Sequence, residues 1–103
     1  MADNNTPSDR GVLILTSLAG GDKHGYALMQ DIEAFAGVKL GPGTLYGALA
    51  KLEEDGLIAP LASDDRRRPY RITAAGTQAL ADRLSESARI ARLGLRRLAS
   101  ASK

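Results

Sequence analysis

The chain has no cysteine and no tryptophan, one histidine, and only four aromatic residues, Tyr26, Phe35, Tyr46 and Tyr70. The lack of cysteine excludes a disulfide framework, a thiolate metal site and a cysteine nucleophile. A single histidine, His24, excludes a histidine-rich metal centre built from one chain. Long apolar runs are missing too. The longest aliphatic stretch, Val12-Leu13-Ile14-Leu15, is far short of the roughly 20 residues that span a bilayer. The N-terminal residues Ala2 to Asp9 are polar, with no basic-then-apolar leader pattern, so no signal peptide is read and a cytoplasmic protein is expected. The carboxylates are spread over helix surfaces rather than paired in an apolar setting, and no phosphate-cradling glycine loop follows a strand. Catalysis is therefore not expected, and no catalytic residue, cofactor or metal is assigned.

What remains is an ordinary globular composition, 44% hydrophobic and 25% charged. The 103 residues, starting at Met1, are expected to be one complete short protein of a single domain. The net charge of +2 hides an asymmetry. Residues 1–60 carry four basic and eight acidic groups, a balance of −4, and residues 61–103 carry ten basic and four acidic, a balance of +6. A basic second half favours a polyanionic partner.

Residues 1–7 read as a flexible tail. Ser8 can cap a helix to about Ala19, whose apolar residues Val12, Leu13, Ile14, Leu15 and Leu18 surround its axis. A second helix is expected from about His24 to Ala36, with Leu28, Ile32 and Phe35 as its apolar stripe. A third starts at Pro42 and stops at Gly56, with Leu45, Leu49 and Leu52 facing inward. Its other face, Gly43, Gly47, Ala50 and Lys51 flanked by Thr44 and Tyr46, is small and sparsely charged for a solvent face. Leu57–Leu61 and Tyr70–Thr73 read as two strands, with Pro60 assigning the first to an edge. The tip between them holds Arg66-Arg67-Arg68, so the pair reads as a basic hairpin. Thr73 can cap a last helix of about seven turns, reaching about Ala99.

Three short helices and a basic-tipped hairpin form a winged helix-turn-helix, here a mainly α fold occupying residues 8–73, followed by a long C-terminal helix at 74–100. In that plan the third helix enters the major groove of double-stranded DNA and the hairpin lies along the backbone or minor groove. Gly41-Pro42-Gly43-Thr44 would let backbone N–H groups at the positive helix end approach phosphate. The candidate DNA contacts are Tyr26, Lys39, Gly43, Thr44, Tyr46, Gly47, Lys51, Arg66, Arg67 and Arg68. His24 reads as a structural hydrogen-bonder. On the last helix, Leu80, Leu84, Ala88, Ala91, Leu95 and Leu98 form a stripe too long for so small a domain to cover, and self-dimerisation is the simplest way to bury it. An alternative reading is a winged-helix interaction module whose hydrophobic last helix docks a different protein. Three arginines at the wing tip favour DNA.

The segments His24-Gly25-Tyr26-Ala27-Leu28, Gly41-Pro42-Gly43-Thr44-Leu45-Tyr46-Gly47-Ala48-Leu49 and Leu52-Glu53-Glu54-Asp55-Gly56-Leu57-Ile58 resemble, in this order, the PadR family of bacterial transcriptional regulators. The wing Arg66-Arg67-Arg68-Pro69-Tyr70-Arg71-Ile72-Thr73 continues the match. The resemblance implies a homodimeric winged-helix regulator, usually a repressor, that dimerises through its long C-terminal helix. It also implies a small-molecule effector at the dimer interface, as in several members. With one C-terminal helix, the chain resembles the short members. It departs from the family pattern in having Gly47 where proline is frequent and in lacking the tryptophan on which some short members stack flat aromatic ligands.

Overall fold

The computed structural model describes residues 6–63 and 67–101. Helix α1 (Asp9–Ala19) starts where the Ser8 hydroxyl oxygen accepts the Gly11 N–H at 3.1 Å. Helix α2 (Gly25–Ala36) is capped by His24, whose Nδ1 accepts the Ala27 N–H at 3.4 Å. It ends at Gly37 in the left-handed region. Helix α3 (Pro42–Glu54) has proline in its first turn, and Gly56 follows its C-cap with φ 77°.

Strands β1 (Ile58–Pro60) and β2 (Tyr70–Ile72) pair antiparallel, with Ile58 opposite Ile72 and Pro60 opposite Tyr70. Both are shorter than the apolar runs that announced them. The hairpin continues one bond further, from the Leu61 N–H to the Pro69 carbonyl at 2.8 Å. Helix α4 (Ala74–Ala101) follows at once. The Thr73 hydroxyl oxygen accepts the Gly76 N–H at 3.0 Å, and the same hydroxyl donates to the Gly56 carbonyl at 2.7 Å. One side chain thus starts α4 and ties it to the end of α3.

Helix α1 packs against α2, α3, α4 and β2. Its Ile14, Leu15 and Leu18 are buried, with Leu28 and Ile32 of α2, Leu45, Leu49 and Leu52 of α3, Leu57, Ile58 and Leu80 around them. This core, built from apolar positions one helical turn apart, is what the stripes of α1 to α3 predict.

A polar junction sits beside it. Ser17 is buried and its hydroxyl donates to Asp31 Oδ2 at 2.6 Å. Lys23 Nζ lies 3.9 Å from the same carboxylate oxygen and donates to the Ser17 and Gly21 carbonyls at 2.6 and 3.2 Å. A cation thus meets the carbonyl end of α1, where the helix dipole is negative. The Lys23 backbone also exchanges two hydrogen bonds with Tyr70, at 3.2 and 2.9 Å. β2 therefore lies between β1 and Lys23, and β1, which holds Pro60, is the edge.

Two expectations about the core are corrected. Phe35 continues the Leu28–Ile32 stripe but is 46% exposed. Residues 33–39 are all exposed, so the last turn of α2 runs past the packed body. Leu80, expected in the dimer stripe, is buried in the core of its own chain. Of the expected tail, residues 1–5 lie outside the described residues, and Pro7 is buried beside Gly11.

Gly76 sits where α4 crosses the α3–β1 connection. A Cβ there would collide with the Leu57 carbonyl oxygen and press on Ile72. The obstacle is backbone, so it cannot swing aside. Gly76→Ala is expected to destabilise the fold by about 2–3 kcal/mol, as overpacking does, read as a lower urea midpoint. An unchanged midpoint would show that α4 can shift on the core.

Candidate nucleic-acid interface

The inward face of α3 is spent on Leu45, Leu49 and Leu52, leaving Gly43, Thr44, Tyr46, Gly47, Ala50 and Lys51 exposed. Gly43, Gly47 and Ala50 form the middle of that face and carry nothing larger than a methyl group. Gly41 caps the helix without a side-chain hydrogen bond. The N–H groups of Gly43 and Thr44 thus have no intrahelical acceptor and stand at the positive helix end. A surface with little side chain and open N–H donors admits close approach by an anionic backbone.

Tyr46 borders this face on the wing side. It is half exposed, and its ring leans on α2: a Cβ on Gly25 would run into the Tyr46 hydroxyl. That contact accounts for glycine at the start of α2. Tyr70 of β2 is half-buried. Its phenol is held above the ordinary value of 10.0 by burial first, then by the negative charge of Glu53 and by Tyr46, with Arg68 opposing. Tyr46, Glu53, Tyr70 and Arg68 therefore form one neighbourhood where α3 meets the wing.

Arg67 and Arg68 are exposed at the wing, while Arg66, the third of the run, lies outside the described residues. The alternation of β2 turns Tyr70 and Ile72 inward and leaves Arg71 exposed on the other face. Arg71 thus adds an exposed cation to the wing, on the face that period 2 alone assigns it. Tyr26 is 59% exposed and its hydroxyl accepts from Gln30 Nε2 at 3.2 Å. Lys39 is exposed just before α3. Lys51 is exposed but ion-paired with Asp55 at 3.3 Å one turn along, so a phosphate would compete with that carboxylate for it.

On α4, Leu84, Leu95 and Leu98 are exposed, the last two by 67%, and Ala88 and Ala91 are exposed between them. Only Gly76 and Leu80 of this helix are buried. No group of three or more potential metal ligands occurs among the described residues. None of the described helices is long and apolar enough to cross a membrane.

Comparison with known proteins agrees with this geometry. The model of the Transcriptional regulator PadR-like family matches residues 14–82, two thirds of the chain. The chain belongs to the PadR-like family. The family is one of transcriptional regulators, not of enzymes. A PadR family transcription regulator of Clostridium difficile superimposes with a TM-score of 0.80 at 25% identity, over 88% of this chain and 99% of that one. A transcriptional regulator of Mycobacterium tuberculosis is 41% identical over 75 residues, 67% of this chain and 66% of that protein. A 37.1 kDa protein encoded in a Streptomyces fradiae transposon is 45% identical over 83 residues, 81% of this chain but 24% of the larger protein. The PadR-like chain thus spans less than two thirds of the length of either of these two relatives.

In this PadR-like fold the raised Tyr70 value has a sign that can be tested. The folded chain favours the neutral phenol, so that contribution is complete below about pH 10 and is lost as pH rises through the folded-state value. Tyr70→Phe, which cannot ionise, is expected to lose less stability than the parent between about pH 9 and about pH 11 in urea titrations. Equal losses would remove Tyr70 from the alkaline response.

Proposed function

We propose that this PadR-like regulator is a cytoplasmic repressor that binds a roughly palindromic operator as a homodimer. The observation that carries the reading is the exposed, nearly side-chain-free face of α3 beside an arginine-bearing wing, in a chain of this family. α3 enters the major groove, its open N–H groups and Thr44 meeting phosphate or a base edge. Tyr46, Gly43 and Gly47 allow or make the close contact, while Tyr26, Lys39 and Lys51 reach the backbone. Arg66, Arg67 and Arg68 hold the backbone or minor groove, and Arg71 joins them. Two copies joined along α4 through Leu84, Ala88, Ala91, Leu95 and Leu98 present two recognition helices to half-sites about one helical turn apart, roughly 34–36 Å. An effector seated at the dimer interface acts by changing that spacing.

The test is a gel-shift titration on the DNA upstream of the protein's own gene, with random duplex as competitor and at two salt concentrations. A competitor-resistant complex weakened by salt is expected. Replacing Arg66, Arg67 and Arg68 with Ala should weaken it and flatten its salt dependence, by roughly one unit of log–log slope for each phosphate that is no longer neutralised. Unchanged binding would remove the wing from the interface. Leu84→Asp with Leu95→Asp should give a monomer with poor operator affinity, and a persistent dimer would overturn the α4 interface. Salt-insensitive binding to a protein, with no DNA complex, would favour the interaction-module reading instead.

A further inference from the structure

Tyr70 is the root of the wing, and its backbone groups face away from β1. Bonded and non-bonded pairs alternate along an antiparallel ladder. The Leu61 N–H bonds the Pro69 carbonyl, so the next pair, Pro60 with Tyr70, is a non-bonded one. The N–H and C=O of Tyr70 therefore point to the other side, and Lys23 takes both. The Tyr70 N–H donates to the Lys23 carbonyl at 2.9 Å, and the Lys23 N–H donates to the Tyr70 carbonyl at 3.2 Å. A hairpin of three pairs is marginal by itself, so its direction depends on this further tie. Arg67 and Arg68, both exposed, lie on the tip side of that root.

Lys23 is itself held by its side chain. The loop before it, Gly20, Gly21 and Asp22, is exposed throughout and buries nothing that could anchor it. The Lys23 ammonium does so instead. It donates to the Ser17 carbonyl at 2.6 Å and to the Gly21 carbonyl at 3.2 Å, and it lies 3.9 Å from Asp31 Oδ2. Asp31 in turn accepts the hydroxyl of the buried Ser17 at 2.6 Å. The end of α1 and the middle of α2 thus grip one lysine, and the backbone of that lysine grips the wing. The Lys23 side chain is only 21% exposed, and its ammonium is engaged by these three oxygens. It is poorly placed to meet a phosphate directly.

We propose that Lys23, gripped by Asp31 and the end of α1, is the residue that positions the wing for DNA: it holds Tyr70, and Tyr70 sets where Arg67 and Arg68 meet the phosphate backbone. Lys23 acts through those arginines and touches no phosphate itself. This role rests on the DNA-binding function proposed above and adds the residue that aims one of its contact surfaces. It also gives Asp31 an unexpected sign. An anion close to a DNA interface ordinarily weakens binding, so its removal should tighten the complex. As the partner of Lys23, Asp31 should do the opposite, and its removal should loosen the complex.

The probe is a fluorescently labelled duplex of mixed sequence, whose binding is dominated by phosphate contacts, titrated with the full chain by anisotropy over a range of salt concentrations. Asp31→Asn and Lys23→Met are each expected to lower affinity several-fold. Each should also lower the salt slope by roughly one to two units, for the phosphates that Arg67 and Arg68 no longer reach. Adding Lys23→Met to the pair Arg67→Ala and Arg68→Ala should lower affinity no further, as for groups that act as one. Tighter or unchanged binding by Asp31→Asn would overturn the positioning role. So would a full additional loss in the combined variant, which would make Lys23 a direct phosphate contact. A second measurement needs no DNA. In both single variants the backbone N–H at position 70 is expected to exchange with solvent roughly tenfold faster, with those of Leu28 and Leu49 unchanged as a check on the core. Equal exchange at position 70 would overturn the positioning role and leave the DNA reading intact. A parent chain that binds no duplex, with position 70 responding as expected, would instead sink the DNA reading and the positioning role with it.

Discussion

The buried face of α1 holds the molecule together. Ile14, Leu15 and Leu18 are packed on all sides, and α2, α3, α4 and the wing strand each close against them. In a chain this short no second core could take over if that one loosened. The position of α3, and with it the exposed Gly43–Gly47–Ala50 strip, is set by how Leu45, Leu49 and Leu52 seat against this post. The wing reaches it through β2, and α4 reaches it through Leu80. Helix α3, the wing and α4 are thus all braced on one helix that is itself mostly hidden.

The junction of Ser17, Asp31 and Lys23 supplies what apolar packing cannot. Hydrophobic contact fixes that α1 and α2 touch, but directional bonds fix where along their length they touch. The ammonium of Lys23 satisfies carbonyls at the end of α1 while its backbone pairs with Tyr70. One residue thereby links the end of the first helix to the base of the wing. Removing the side chain would leave open carbonyls and a carboxylate with one partner fewer, a cost borne by the orientation of the wing as well as by stability.

Much of this was legible in the residues alone. The stripes at steps of four and three residues, Ser8 and Thr73 as caps, and Gly37 and Gly56 as stops placed all four helices within a residue or two. The remainder depended on tertiary neighbours. Phe35 obeys the period of α2 yet is exposed, because periodicity gives the face of a helix and not how far the neighbouring elements extend. Leu80 obeys the period of α4 but belongs to the core, for the same reason at the other end. The strand at Lys23 is one residue long, so no alternation announces it. At the interface, the bare face of α3 could be read directly, whereas the leaning of Tyr46 on Gly25 required the crossing of two helices. The exposure of Arg71 follows from period 2 along β2, and the Lys51–Asp55 pair from a spacing of one helical turn.

The aromatic residues are unevenly placed. There is no tryptophan, and α4 contains no aromatic residue at all. All three tyrosines, Tyr26, Tyr46 and Tyr70, lie at the start of α2, on α3 and at the base of the wing. The intrinsic tyrosine emission of the protein therefore arises entirely from the side that carries the recognition helix, and the long C-terminal helix is optically silent. Excitation in the tyrosine absorption band would follow events at that face without a label and without a background from α4.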